Sequence, residues 1–459
     1  MDAFTTATEL AQAYRNGEAR PTQVVDAALD RIAALDGKLG AFQVVYAQEA
    51  RQAAEGAELA MRSGHRTGPF HGIPFALKDI VDLEGRVTTG GSMAFKDRIS
   101  PTTALIGQRL LAAGGILLGK TRTVEFAMGG WGTNQRMGTP WNPWDLETAR
   151  TPGGSSSGSG VAVASGFVPC AVGTDTGGSV RLPAAWCGIT GLKVTEGRLP
   201  TAGILPLSHT LDTPGPMVRS VADAVLMFEV MDGIQSSEIE RRLLAGDGLF
   251  GALGRGVAGL RLGAIGAADR ELVAPDLLAL YDAALERFRG LGAEIVPFTP
   301  PLPFAAMKDN VGIIMAAEAY HHHGALMEDR QAPLDEDVRP RVLPGAAIKA
   351  HDYVAMMLRR TQDQAAFAAA MLGLDAVLTP TTETAAVPLD AVDQSGTPAH
   401  FTRPANYLGM CGLALPMGLT PDGLPGGLQV MARAGDEYGA LRIGAAYEAA
   451  SGGIGHPAL

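Results

Sequence analysis

Small residues dominate residues 153–183, which read GGSSSGSGVAVASGFVPCAVGTDTGGSVRLP. Within them, residues 157–165 favour a helix built from small side chains, and Ala171-Val172-Gly173 favours a buried strand. Glycines ahead of a helix N-terminus let backbone N–H groups converge on one point, where an anion or a developing oxyanion can bind. The same composition also fits a flexible Gly/Ser linker. From this composition alone, both an anion-binding loop and a flexible linker stay open.

Helical and strand-like segments alternate on both sides of this stretch, a pattern typical of an α/β protein. The length of 459 residues would suggest about three domains at ~150 residues each. Strands fall on both sides of every candidate boundary, so we predict one large domain over 1–459. We divide it into a helical N-terminal segment, a core and a variable region, at 1–65, 72–220 and 230–375. The clearest predicted helices are 4–15, 21–35, 40–64, 102–113, 276–291, 307–327 and 352–372, and the clearest strands are 73–80, 116–119, 260–265 and 375–379.

The chain is acidic: 37 Lys and Arg against 48 Asp and Glu give 37 − 48 = −11. A negative protein repels phosphate backbones, so we expect no nucleic-acid partner. Glycine is abundant, with 59 of 459 residues or about 13%, against a usual ~7%. Many tight turns or close backbone approaches are therefore expected.

Cysteine usage and hydropathy indicate a cytoplasmic protein. The three cysteines Cys170, Cys187 and Cys411 are odd in number and show no C-x-x-C spacing, which favours free thiols in a reducing compartment. The N-terminus lacks the basic start and apolar core of a signal peptide. The longest uncharged stretch, 151–174, carries two prolines and many Gly and Ser residues, so we expect no membrane span.

A lysine stands inside the apolar segment Ile73-Pro74-Phe75-Ala76-Leu77-Lys78-Asp79-Ile80. Burial lowers the pKa of a lysine, and a neutral amine can act as a general base for a serine. Asp79 is an unsuitable partner, since neighbouring strand residues point to opposite faces. The alternative is a buried salt bridge between Lys78 and an acid elsewhere in the chain.

Two motifs in the opening stretch suggest other hydrolases. Residues 154–158 match G-x-S-x-G, which would make Ser156 the nucleophile of an α/β-hydrolase, although the match is weak in so Gly- and Ser-rich a run. Asp175-Thr176-Gly177 resembles half of an aspartic-protease site, but no second such motif supplies the required partner carboxylate. The glycines around Ser179 instead favour a turn that aims backbone N–H groups at one point, as an oxyanion hole requires.

Three consecutive histidines, His321-His322-His323, carry no such chemistry. On a helix they would point about 100° apart and could not all bind one ion. We expect no metal and no organic cofactor.

Taken together, these features resemble the amidase signature family. Gly153-Gly154-Ser155-Ser156 opens the signature, residues 177–183 close it, and the two serines stand 179 − 155 = 24 positions apart. Lys78 lies in a segment similar to the family's lysine strand. Further similarity covers residues 125–129, 187–193, 212–217, 401–406 and 426–429, and is weakest over 230–375. The resemblance implies an α/β fold with a central mixed, twisted β-sheet flanked by helices on both faces.

The resemblance also implies roles for single residues. Ser179 would be the nucleophile, Ser155 a bridging serine after a cis peptide bond, and Lys78 the base. Backbone N–H groups of Thr176, Gly177, Gly178 and Ser179 would form the oxyanion hole. Asp175 and Arg181 would brace the loop.

The substrate side is predicted from position only. We expect Met128, Gly129, Gly130 and Trp131 to line the entrance and Tyr320 to belong to a lid, with core packing as the alternative for each. Since no cationic group beyond Arg181 stands out, we predict a stand-alone amidohydrolase for small neutral, apolar or aryl amides. Esters and carbamates (urethanes) would be open to the same attack.

Two alternatives share the scaffold. One is the glutaminase subunit of a tRNA-dependent amidotransferase, which would need partner subunits and deliver ammonia. The other is a non-catalytic binding protein, against which the retained Lys and two Ser residues argue. For the stand-alone enzyme we expect a small amide substrate, no nucleic acid, no membrane and, as the family suggests, a homodimer.

Overall fold

Eleven strands form one sheet in the computed structural model, which describes residues 2–65 and 67–459. The strands are β1 (Phe42–Val45), β2 (Pro74–Lys78), β3 (Ile116–Thr121), β4 (Cys170–Asp175), β5 (Thr190–Lys193), β6 (Thr213–Val218), β7 (Arg261–Ile265), β8 (Glu294–Phe298), β9 (Ala376–Pro380), β10 (Cys411–Leu419) and β11 (Pro425–Ala432). Their order across the sheet is β1-β3-β2-β4-β6-β5-β10-β11-β9-β7-β8.

The sheet is mixed. Strand β2 runs parallel to β3 and β4, and β7 runs parallel to β8 and β9. The other neighbouring pairs are antiparallel. The predicted α/β class and the mixed sheet flanked by helices are confirmed.

Sixteen α-helices of the described chain surround the sheet. They are α1 (Ala7–Asn16), α2 (Pro21–Leu39), α3 (Ala47–Arg62), α4 (Leu105–Ala112), α5 (Ser157–Ala164), α6 (Arg181–Cys187), α7 (Val221–Asp232), α8 (Ser236–Ala245), α9 (Gly248–Ala252), α10 (Ala267–Arg270), α11 (Pro275–Gly290), α12 (Phe304–Glu328), α13 (Arg339–Val342), α14 (Ala350–Ala370), α15 (Arg403–Tyr407) and α16 (Glu437–Ser451). Short 3₁₀ helices occur at Met93–Phe95, Glu125–Ala127, Leu343–Ala347 and Leu389–Ala391. Of the helices described, none has the length and apolar character needed to cross a bilayer.

Side chains of the central strands alternate between two cores. In β2, Phe75 and Leu77 pack into one buried cluster and Ala76 into the other. The first cluster also takes residues of α4, α7, α11 and α16, and the second takes residues of α2, α3 and α5. Because side chains alternate along a strand, Lys78 shares the Ala76 face, on which α5 packs.

One helix prediction needs correction. Residues 40–64 contain strand β1 followed by α3, not one continuous helix. Gly40, with φ of 60°, ends α2, and Phe42 begins the strand that pairs antiparallel with β3. The Ala-rich composition of the following segment hid this short strand. The division at 1–65, 72–220 and 230–375 stays a prediction.

Candidate functional site

Lys78 lies at the end of β2 and is fully buried. Its Nζ donates hydrogen bonds to Ser155 Oγ at 2.7 Å and to Thr174 Oγ1 at 2.8 Å. Thr174 belongs to β4, the parallel neighbour of β2, and Ser155 lies just before α5. The two strands and the start of the helix therefore bring the lysine and the serine together.

The environment of Lys78 favours a neutral amine. Burial lowers its pKa to about 7, while the charges of Asp212 and Asp175 act in the opposite direction. Within the described chain no carboxylate forms an ion pair with Lys78, so the salt-bridge alternative has no support. Asp79 lies on the other face, where it pairs with the buried Lys120 at 2.7 Å.

Ser155 is held by its backbone. The Gly154–Ser155 peptide bond is cis. The carbonyl of Ser155 accepts hydrogen bonds from Val124 N at 3.2 Å and Thr123 Oγ1 at 2.9 Å. A methyl group on Gly154 would lie 2.6 Å from Gly129 O, so only glycine fits before this serine.

Ser179 follows β4 in the turn that leads into α6, and it is 7% exposed. Its carbonyl accepts a hydrogen bond from Ser156 N at 3.2 Å, which ties the two serine-bearing loops together. No hydrogen bond joins Ser155 Oγ to Ser179 Oγ among the described residues. Hydrogen bonds of this kind often become short only in a substrate complex.

Asp175 and Arg181 brace the Ser179 loop from beneath. Both side chains are fully buried and form an ion pair at 2.9 Å. Arg181 also donates to Thr402 O at 2.7 Å and to the side-chain oxygens of Gln429 and Asn406 at 2.6 and 2.7 Å. Burial would raise the pKa of Asp175, but Arg181 outweighs it and keeps that pKa well below its ordinary value.

The backbone N–H groups of the loop divide into two sets. Gly178 N donates to Asp175 Oδ1 at 2.8 Å. Contrary to the prediction, this N–H is therefore committed to the brace and cannot also serve an oxyanion. The N–H groups of Thr176, Gly177 and Ser179 find no acceptor within the described part of the chain, and these three residues line a cavity.

Ser156 does not fit the role of an elbow nucleophile. It is fully buried, and its hydroxyl both donates to Thr174 O and accepts from Thr174 N at 3.2 Å. Its contacts fix the loop to strand β4. Ser179, by contrast, opens into the cavity.

The histidine run is dispersed around α12. His323 is buried and hydrogen-bonded to Pro206 O at 2.8 Å, whereas His321 is exposed. Within residues 2–65 and 67–459, no cluster of His, Cys, Asp and Glu side chains is arranged to hold a metal ion.

The cavity beside Ser179 has a volume of about 810 Å³. Met128, Gly129 and Gly130 line it, and their role at a substrate entrance stays a prediction. Trp131 does not: it stacks on Trp186 at 5.6 Å and donates to the carbonyls of Asp393 and Gly396. It therefore supports the 393–397 loop from behind.

Tyr320 also lies outside the cavity wall. Its hydroxyl donates to Glu328, and its ring packs beside Gly324 of the same helix. Other residues of α12 do face the cavity, namely Gly312, Ile313, Met315 and Ala316. Tyr320 lies on a later turn, beyond the cavity.

Three cationic residues of the cavity wall escaped the sequence analysis: Lys308, Arg341 and Arg403. Arg403 is the one charged residue of the motif Phe401-Thr402-Arg403-Pro404, and this isolated charge was the available signal. Lys308 and Arg341 lie in the variable region, where no motif marks them. The prediction that Arg181 is the only relevant cation is wrong, because the fold brings these distant residues together.

Comparison with known proteins places this chain near amidotransferase subunits. It is 35% identical to the glutamyl-tRNA(Gln) amidotransferase A subunit of Anaeromyxobacter dehalogenans (strain 2CP-C), covering 95% of this chain and 94% of the relative. It is 36% identical to a protein of the same name from Salinispora tropica, covering 99% of this chain and 98% of the relative.

These relatives overturn the predicted function and partners. The stand-alone amidohydrolase for small neutral, apolar or aryl amides and carbamates is wrong as the main interpretation, since the relatives are named as A subunits of glutamyl-tRNA(Gln) amidotransferase. The expectation of no nucleic acid is wrong on the same finding, and the predicted homodimer stays a prediction. Net charge describes a whole chain and does not exclude a component of a larger assembly. The predicted neutral substrate also rested on overlooking Arg341 and Arg403.

Solved structures agree with the fold and the class of reaction. The native peptide amidase of Stenotrophomonas maltophilia superposes with a TM-score of 0.84 at 29% identity, covering 99% of this chain and 98% of that one. The family model described as Amidase matches residues 23–441. The chain is thus an amide-hydrolysing enzyme and belongs to the amidase signature family.

Proposed function

We propose that this chain is the glutaminase subunit of a tRNA-dependent amidotransferase. It hydrolyses the side-chain amide of glutamine and releases ammonia for use by partner subunits on a tRNA-linked acyl group. The observation that carries the proposal is the likeness of 35–36%, over nearly the full length of both chains, to glutamyl-tRNA(Gln) amidotransferase A subunits.

The proposed chemistry is a proton relay. Neutral Lys78 accepts a proton from Ser155 Oγ, which accepts one from Ser179 Oγ as that oxygen attacks the amide carbonyl. The relay then returns a proton to the leaving nitrogen, and ammonia departs from an acyl-enzyme on Ser179. Water hydrolyses the ester by the same relay. The hydrogen bond of 2.7 Å between Lys78 Nζ and Ser155 Oγ supports the first step.

Stabilisation of the oxyanion is assigned to three backbone donors, the N–H groups of Thr176, Gly177 and Ser179. Each such donor contributes about 10²–10³ in rate in enzymes of this type. The ion pair of Asp175 with Arg181 supports the loop without touching substrate. We assign Met128, Gly129 and Gly130 to the cavity wall that contacts the substrate.

The cavity suits an amino-acid amide. Its wall carries Lys308, Arg341 and Arg403 against one carboxylate, Asp309. A substrate with a free carboxylate is attracted by this charge, while a purely apolar amide gains nothing from it. We place the enzyme in the cytoplasm, where tRNA is charged, in keeping with three buried free cysteines.

The test is reconstitution. The chain would be mixed with the remaining subunits of a relative's amidotransferase, glutamyl-tRNA(Gln) and glutamine, and both ammonia and glutaminyl-tRNA would be measured. We expect glutaminyl-tRNA to form only with all components present, and a Ser179→Ala chain to assemble but supply no ammonia. Failure of the wild-type chain to associate, or to release ammonia from glutamine, would refute the proposal.

A further inference from the structure

The guanidinium of Arg403 lies against the Ser179 loop with most of its donors unused. Arg403 Nη1 donates to Lys308 O at 2.9 Å. A guanidinium carries five N–H groups, and Arg403 forms no ion pair within the described chain. The charge of Asp309 acts on Arg403 without forming an ion pair, so the remaining donors are open to an anion that enters the cavity.

We propose that Arg403 is the specificity-determining residue for the acyl side of the substrate, where it binds a substrate carboxylate. The inference rests on the proposed amide hydrolysis at Ser179. It names the substrate class as monoamides of short dicarboxylic acids, with or without an α-amino group. Glutamine and glutaramate both belong to this class.

Two glycines fix the position of the Arg403 side chain. A methyl group on Gly177 would lie 3.2 Å from Arg403 Cγ and 3.4 Å from its Nε. A methyl group on Gly312 would lie 3.4 Å from Nη1. The side chain therefore crosses from the oxyanion loop to α12, along the wall of the cavity.

The reach from Arg403 to Ser179 fits a short acyl chain. Gly177 is two residues before Ser179, at most about 7 Å away along the backbone. An amide carbonyl at Ser179 and a carboxylate on Arg403 can therefore belong to one molecule with two or three methylene groups between them.

Arg341 is the other candidate for this role, but its donors are committed. Arg341 Nη1 donates to Met128 O at 3.1 Å, and Nη2 donates to Gln394 O and Oε1 at 3.0 and 2.7 Å. It joins two parts of the cavity wall and adds positive charge. Burial lowers the pKa of Arg403 to about 10, with Arg341 acting in the same direction, so Arg403 stays protonated at neutral pH.

The cavity offers weaker binding to an α-ammonium group than to a carboxylate. Asp309 is the one carboxylate among the residues lining the cavity, and it is exposed. Water and salt screen an exposed ion pair, so the amino group of glutamine adds little to binding. The carboxylate therefore dominates selection.

The test compares protection of Ser179 from a fluorophosphonate probe, which requires no turnover. Glutaramate, glutamine and butyramide, which is glutaramate with its carboxylate replaced by hydrogen, would compete with the probe. In wild type we expect glutaramate and glutamine to protect at least 10-fold better than butyramide. Arg403→Met should remove that preference, since a hydrogen-bonded ion pair of this kind is worth about 10–100-fold.

Controls separate recognition from structure. Arg403→Lys should restore part of the preference, and Lys308→Met, which removes a cation of the same wall, should weaken it less than Arg403→Met does. Where turnover occurs, Arg403→Met should raise the KM for glutaramate more than it lowers kcat. Equal protection by butyramide and glutaramate in wild type would overturn the inference. An Arg403→Met chain that retains both its melting temperature and its preference for glutaramate would also overturn it. So would an Arg403→Met chain in which protection by butyramide falls as much as protection by glutaramate.

The two proposals fail in different ways. If glutaramate protects and Arg403→Met abolishes the effect, the inference holds even when reconstitution yields no glutaminyl-tRNA. In that outcome the proposed function is wrong and the carboxylate site remains.

Discussion

The charge state of Lys78 makes the rate of Ser179 labelling depend steeply on pH. An ordinary lysine has a pKa of 10.5, and burial lowers that of Lys78 to about 7. At pH 7.5 roughly three-quarters of the amine would be neutral with the lowered pKa, against roughly 0.1% with the ordinary one, a difference of about 10³ in active base. Since the neutral form accepts the proton, activity is gained as pH rises through 7 and lost below it.

The assay is the second-order rate of fluorophosphonate labelling between pH 5.5 and 9.5, with the adduct located by peptide mass spectrometry. We expect the rate to rise tenfold per pH unit below about 6.5 and to level off above about 8. Lys78→Ala should slow labelling by about 10²–10⁴ and remove this rise of the rate with pH, the acid limb of the profile. A rate that keeps rising tenfold per unit up to pH 9.5 would show an ordinary lysine. An adduct on Ser156 would show that the nucleophile is misassigned.

Three further variants test neighbouring parts of the site and the fold. Asp212→Asn removes a charge that raises the pKa of Lys78, so the acid limb of the labelling profile should move to lower pH; a move to higher pH would contradict the electrostatics. Gly178→Ala places a methyl group 2.3 Å from Thr402 Oγ1 at a φ of +127°, and labelling should fall at least 10-fold; an unchanged rate would mean that the loop adapts. Asp223→Ala removes the carboxylate that accepts hydrogen bonds from two N–H groups at the start of α1, so urea unfolding should show a loss of about 1–3 kcal/mol with labelling unchanged; equal stability would exclude this cap.

The serine and lysine positions were accessible from sequence because each stands in a compact local pattern. Lys78 is a single charge in an apolar strand, and Ser155 and Ser179 lie in two Gly-rich turns. Strand alternation also predicted that Asp79 would not be the partner of Lys78, and Asp79 instead pairs with Lys120. Short-range patterns mark these positions, but their roles came from the resemblance to the amidase signature family, since the residues alone also fitted a flexible linker and a buried salt bridge.

The residues that line the cavity beside Ser179 could not be predicted from the sequence, because they come from segments far apart in the chain. Arg341 and Arg403 reach the cavity of Ser179 through helices that follow it by more than 150 residues. Trp131 and Tyr320 were predicted from their positions in the chain, but tertiary packing directs both side chains away from the cavity. The strand β1 was hidden for a related reason, since four residues beside an Ala-rich helix give no distinct period.

Strands β10 and β11 lie inside the sheet, between β5 and β9, although they are made last. A nascent chain leaving the ribosome therefore cannot complete the sheet until residues 411–432 have emerged. Three residues accept hydrogen bonds from Arg181, namely Thr402, Asn406 and Gln429. They are translated 221, 225 and 248 residues after it. In a shorter, unfinished polypeptide, Arg181 therefore lacks these three partners, and the ion pair behind the Ser179 loop is left without its other hydrogen bonds.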